Sequence, residues 1–434
     1  MLKIFGTPNG RDCDGQSRRN FLQVGTLGTL GTLGAAGMSL PGLLQAKDIA
    51  AKQGVTIKNK SVIWIWLAGG PTHVETFDPR MDAPSEYRSI TGECKTPIAG
   101  VTVGGTFPEI GKCADRMALI RSFAHGSSSH GTGTTWVMTG YNDRANMKPS
   151  VGSIIAKAKG TTDPKTGMPT YVKIGNIRND GPGWLGARYQ ALSPSGQARK
   201  NMDLSVDSNR LDGRRGLLGE LDSINRNIDR SGQMEGIDGF EQQAFDLVLG
   251  SSKDAFDIKK EDPKVREQYG KGLGEQLLLA KRLTAAGCGF VNISYGGWDM
   301  HGGIAKGLKG RARQLDQGVS ALINDLTESG QLDDTLVVVT GEFGRTPRIN
   351  SKGGRDHWGK LCTLAMAGGG LRMGQVIGKS SSKIEVPEEN PIHPQDVMAT
   401  ILHMFGLGHN LQFTSPQGRP TYMVENGRPI KELI

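Results

Sequence analysis

The chain lacks the cysteine pattern of a thiolate metal site: it has 5 cysteines in 434 residues, none in a CxxC or other zinc-type spacing. It also lacks any long Lys/Arg block. The formal charge of +9 is spread along the chain, which argues against a nucleic-acid partner and favours diffuse attraction for anionic substrates. An uninterrupted apolar run long enough to span a bilayer is missing as well. The one weakly apolar N-terminal segment, ending near Leu44, is broken by Gly25, Gly28, Gly31, Gly34 and Gly37, so no stable membrane span is expected. Apolar residues make up only 36% of a chain with 63 glycines, which describes a loop-rich protein.

What is present begins with Ser17-Arg18-Arg19-Asn20-Phe21-Leu22 ahead of that segment, and small residues follow near Ala46. Paired arginines before Phe-Leu resemble a twin-arginine export signal, so residues 1–46 are expected to engage the twin-arginine export machinery and be removed, placing the rest in the periplasm or outside the cell. That segment takes four bases and two acids with it and leaves the mature chain at +7. Cys94, Cys113, Cys288 and Cys362 remain. One or two disulfides could form, while Cys288 and Cys362 sit in strand-like apolar runs and read as buried thiols.

Apolar runs bounded by glycine mark buried strands at 61–67, 117–121, 171–174, 289–294, 336–339 and 361–367. Helical periodicity follows at 150–159, 241–249, 273–286 and 308–329, and again from Pro394 to Phe405. Strand–loop–helix repetition around one sheet predicts a single α/β domain over 47–434 with a mostly parallel central sheet. Residues 176–270 carry a long insertion, weakly periodic to about 240.

Chemistry-bearing residues collect just after the strands, where open α/β sheets bind ligands. After the first strand comes Gly69-Gly-Pro-Thr-His73-Val-Glu75-Thr-Phe-Asp78-Pro, with three potential metal ligands in six residues. Ser122–Gly140 is rich in hydroxyls and glycine and contains His125 and His130; a helix beginning near Thr132 could offer an anion site or a nucleophile, Thr132 or Ser129. Trp298-Asp299-Met-His301-Gly-Gly lets an acid and an imidazole point into one pocket from a turn. The stretch from Thr335 to Lys360 then places Glu342, Arg345, Asp356 and His357 in one glycine-diluted loop. Mixed carboxylate and imidazole ligands suit zinc, manganese or iron, and carboxylates alone could hold calcium or magnesium.

Taken together, the Arg18-Arg19 signal, GGPTHVETFDP, WDMHGG and GEFGRTPRI…GGRDHWG resemble an exported bacterial family of unknown function within the alkaline phosphatase/sulfatase superfamily. The resemblance spans about 60–410 and implies an alkaline phosphatase-like three-layer α/β/α sandwich, with divalent metal at the strand ends. It implies an exported metal-dependent hydrolase of phosphate or sulfate esters, whose substrate is an anionic ester or sulfated glycan. The alternative is an inactive anion- or glycan-binding module of the same fold. By the same resemblance Asp299, His301 and His357 hold one metal. Glu342 holds a second with Glu75 or Asp78, helped by His73, and Asp356 belongs to the ligand set. His130, Thr132 and Arg345 would be catalytic, as base or ligand, nucleophile and anion-neutralising cation. The position after Glu342 is Phe343 where phosphatases of the superfamily carry histidine, and the sulfatase Cys-x-Pro-x-Arg signature is absent.

Overall fold

The computed structural model describes residues 57–142, 148–194 and 251–434. The expected export signal, the helix expected at 241–249 and most of the expected insertion fall outside the described residues. Gly54–Ile434 forms one compact unit.

Seven strands make the central sheet: β1 (Ser61–Trp66), β2 (Met117–Ile120), β3 (Tyr171–Ile174), β4 (Phe290–Ser294), β5 (Thr335–Thr340), β6 (Leu364–Gly368) and β7 (Gln375–Ile377). Their spatial order is β7-β2-β6-β5-β1-β4-β3. β1 lies parallel to both β4 and β5, β4 to β3, and β7 to β2, whereas β6 runs antiparallel to both of its neighbours. The sheet is therefore mostly parallel, as the unbroken apolar runs predict for strands buried on both faces.

Alternation along the strands feeds two separate cores. Val62, Trp64 and Trp66 of β1 face one side, with Val338 of β5 and Met366 of β6, and pack on helices α1 (His130–Thr139), α2 (Val151–Lys159) and α5 (Pro394–Met404). Ile63, Ile65 and Leu67 face the other side, against α3 (Leu273–Ala285) and the long α4 (Ile304–Glu328). The result is the expected three-layer α/β/α sandwich. Within the expected insertion, the described flanks are short turns of 3-10 helix and one helix, Pro263–Tyr269. Cys94, Cys113, Cys288 and Cys362 are all free. Burial pushes the Cys288 and Cys362 thiols up to about 12, so both are inert buried thiols. Among the described residues no helix is long and apolar enough to cross a membrane.

Candidate metal centre

Three strand-end loops and one helix start meet at the carboxyl edge of the sheet. The loop after β4 brings Asp299 and His301, the loops after β5 bring Glu342, Arg345, Asp356 and His357, and the first residue of α1 is His130. Their backbones approach too closely for side chains in between. A Cβ on Gly354 would lie 2.2 Å from the His301 carbonyl carbon, and one on Gly69, which sits at φ +113°, would lie 2.5 Å from the Asp299 nitrogen. Glycine at these two points is what lets the loops close on one another.

The Asp299 carboxylate is the hub. Its Oδ1 lies 3.0 Å from His301 Nε2 and 3.1 Å from His357 Nε2, and its Oδ2 lies 3.4 Å from His130 Nε2. Donor atoms of His130, Asp299 and His357 all fall within 4.8 Å of one another. The His301 and His357 Nε2 atoms are themselves 3.1 Å apart. Burial of Asp299 is outweighed by its bonds from Arg345 and His357, and its carboxyl is held well below the usual range. The hub is wet: the side chains of His130, Asp299, His301 and His357 are between 26% and 47% exposed, so a small molecule can reach them.

Each imidazole is braced from behind through Nδ1. His130 bonds Glu342 Oε1 at 2.7 Å, His301 bonds Asp356 Oδ1 at 2.6 Å and His357 bonds the Ser128 carbonyl at 3.1 Å. An ionised carboxylate or a carbonyl only accepts, so Nδ1 carries a hydrogen on each ring, and a ring that gives up its other proton presents an Nε2 lone pair. Two such lone pairs, from His130 and His357, and the Asp299 carboxylate lie within 4.8 Å of one another and repel unless a cation or protons sit among them. The donor set thus fits a divalent metal ion. Phe343 floors the site, its ring centroid 4.9 Å from that of His130 and 4.5 Å from that of His357.

Arg345 lies at the hub but not where an anion could reach it. Its side chain is fully buried, donates to the carbonyls of Gly69, Gly70 and Arg355, and bonds Asp299 Oδ1 at 2.5 Å. It therefore fixes Asp299; the expected role as a cation that neutralises substrate does not match this placement. Thr132 lies in the first turn of α1 and Ser129 at its N-cap, and no hydrogen bond among the described residues engages either hydroxyl. Neither hydroxyl is hydrogen-bonded to a base among the described residues.

The structure does not bring His73, Glu75 or Asp78 to the hub. Glu75 is fully buried against Arg355 at 3.0 Å and also accepts from Ser89 Oγ, Thr91 Oγ1 and the amides of Ile90 and Thr91. Arg355 in turn donates to the carbonyls of Thr346, Pro347, Tyr87 and Arg88, so this pair straps the first motif to the last. Asp78 accepts from Ser380 Oγ at 2.5 Å beside Arg121, and burial raises its pKa. His73 donates from Nε2 to the Ile384 carbonyl at 3.2 Å. These residues have structural partners of their own, and a ligand role for them finds no geometric support.

His125, to which the motifs assign no role of its own, braces the site. Its Nε2 donates to the Glu342 carbonyl at 2.8 Å and its Nδ1 accepts from the Ser127 amide. Burial holds the pKa of His73 down at about 3 and that of His125 at about 4. Below the unfolded value of 6.5 the unfolded chain takes up protons that these folded rings refuse, so stability falls as pH drops from 6.5 towards 4. Urea denaturation at pH 7 and pH 5 is expected to show a loss of about 2 kcal/mol for each of the two rings. An unchanged stability at pH 5 would mean that neither ring is buried in its neutral form.

Residues 59–434 match the family model described as "Protein of unknown function (DUF1501)", and the chain belongs to that family. No curated protein matches it in sequence. Among solved structures it is similar to the PsFucS1 sulfatase from Pseudoalteromonas sp., at 14% identity and TM-score 0.40, covering 85% of this chain and 71% of that one. It is similar to the phosphonate monoester hydrolase SpPMH from Silicibacter pomeroyi at 12% identity and TM-score 0.36, covering 86% and 76%. A third is the C-terminal periplasmic domain of EcEptC from Escherichia coli in complex with Zn, at 10% identity and TM-score 0.39, covering 87% and 94%. None of these likenesses bears on what the chain does.

Proposed function

We propose that this member of the family is an exported, metal-dependent hydrolase of phosphate or sulfate esters, with anionic esters or sulfated glycans as its substrates. One observation supports the reading above all: the donor atoms of His130, Asp299 and His357 lie within 4.8 Å of one another at the carboxyl edge of the sheet, with His301 against the same Asp299 carboxylate. Acid and imidazole groups gathered at the carboxyl ends of a parallel sheet are the mark of a working site. A bound ion would supply Lewis acidity and lower the pKa of its water.

The chain's own groups do the rest. Arg345 holds Asp299 in place, and Glu342, Asp356 and the Ser128 carbonyl hold the three rings. The first-turn amides of α1 have no carbonyl partner within the helix, and they lie beside His130, where ester oxygens can accept from them. The free Thr132 and Ser129 hydroxyls are further donors to the same oxygens. Because neither hydroxyl is hydrogen-bonded to a base among the described residues, direct attack by water suits the site better than a covalent route through Thr132. Export rests on the Arg18-Arg19 motif.

The test is turnover of aryl phosphate and aryl sulfate esters by the mature protein, with and without a chelator. Metal-restored hydrolysis that the chelator lowers by about 100-fold or more is expected. Metal and anion binding with no turnover of either ester class would instead favour the inactive binding module.

A further inference from the structure

From Gly302 to Leu315 the chain carries four bases and no acid. The segment opens the long helix α4, which begins three residues after His301 at the lip of the centre. At about 100° per residue, Lys306, Lys309, Gly310 and Arg313 share one arc of about 100°, while Ile304, Leu308 and Ala312 turn into the core. Lys306, Lys309 and Arg313 are exposed, and their side chains make no ion pair or hydrogen bond among the described residues. Lys352 is exposed and equally free, and its carbonyl accepts from the Gly303 amide at 3.0 Å, so it continues the stripe to the centre. Arg311 is different: half-buried, it donates to the Gly296 carbonyl and lies over the Tyr295 ring.

We propose that this stripe binds a linear sulfated polysaccharide, which runs along α4 away from the metal centre with one of its esters in that centre. The inference deepens the anionic-substrate part of the function proposed above. Nothing among the described residues offsets the repulsion built into the stripe. Like charges three and four residues apart on a helix repel, and the macrodipole disfavours Lys306 in the first turn. Gly310 has nothing within 4 Å of where its Cβ would be, so no packing requires glycine there, although glycine weakens a helix interior. A bare backbone position amid three cations lets a sugar chain lie close on the helix. Lys306 and Arg313 stand roughly 10 Å apart along the axis, so a single anion cannot meet all three charges. A chain with anions at intervals can. The apolar residues of the segment face inward, so the stripe has no face to enter a bilayer. Nor does the segment carry an aromatic side chain on which nucleic-acid bases would stack.

The experiment measures binding of dextran sulfate to the mature protein by titration calorimetry, in low and in physiological salt. The parent should bind, and Lys306→Gln/Lys309→Gln/Arg313→Gln should bind about 10-fold or more weakly, with a shallower salt dependence. A control triple, Lys58→Gln/Arg372→Gln/Lys431→Gln, removes the same charge at the amino edge of the sheet and should bind within about 2-fold of the parent. Thermal stability of the stripe variant should equal or exceed that of the parent, because its charges have no partner in the fold. An equal loss in both triples would reduce the effect to net charge and overturn the inference. So would tighter binding to duplex DNA or to anionic phospholipid vesicles, or a stripe variant that loses stability. Binding is read without turnover, so a parent that ignores dextran sulfate overturns the stripe and leaves hydrolysis of small esters standing. Dextran sulfate held through the stripe by a protein that turns over no ester would support the stripe and sink the hydrolase.

Discussion

Replacing Asp299 by alanine is expected to abolish ester hydrolysis, with a fall of about 1,000-fold or more, the several kcal/mol that a bound ion contributes to a transition state. Metal affinity should fall by more than about 100-fold, beyond the usual cost of losing an outer-sphere partner. The size of the effect follows from the geometry. Among the described residues Asp299 is the one carboxylate that contacts the rings of His130, His301 and His357, and it is also the acceptor for buried Arg345. Without it the rings lose their common counter-charge, and the guanidinium loses its only carboxylate. Measuring kcat and metal affinity on the same preparation, with circular dichroism to confirm the fold, separates loss of the centre from loss of the protein. Retained activity in a folded Asp299→Ala protein would show that catalysis lies elsewhere.

The second large effect is on stability. Glu75→Ala should destabilise the fold by about 3–5 kcal/mol, because it leaves the fully buried Arg355 guanidinium without its carboxylate. Four further hydrogen bonds, from Ser89, Ile90 and Thr91, end on the same carboxylate. Arg355 immediately precedes Asp356 and His357, so the variant should also loosen the His357 side of the centre. The measurement is the urea midpoint together with metal stoichiometry. The ligand role that the sequence suggested for Glu75 would give the opposite pattern: stability within about 1 kcal/mol of the parent, with the metal gone.

Much of the frame could be read from the sequence because the signals there are local. The run SVIWIWL, with apolar residues on both faces and Gly69-Gly70 behind it, has no outlet but a central strand. Asp299-x-His301 between glycine pairs, and Asp356-His357 after Gly353-Gly354, likewise advertise a site at strand ends, and the structure brings these residues together. What stayed illegible depends on partners far away in the chain. Nothing near Glu75 announces Arg355, 280 residues on, nor does anything near His73 announce the Ile384 carbonyl. A ligand and a strap look alike in a motif until the partner is placed. The same holds for Arg345, whose surface-seeking guanidinium turns out to be walled in by carbonyls, and for His125, whose brace on Glu342 leaves no mark in spacing. Phe343 illustrates the converse. That this position is not a histidine is plain in the sequence, and in the structure its ring packs against the His130 and His357 imidazoles.

A bound ion is what the site is built for. Elemental analysis of the mature, folded protein after loading and gel filtration, run beside an Asp299→Ala/His357→Ala double variant of equal thermal stability, tests it most directly. About one or two equivalents of a divalent metal in the parent, and none in the variant, is the predicted result. A well-folded parent that carries no metal and takes none up, or a variant that keeps the full equivalent, would contradict it.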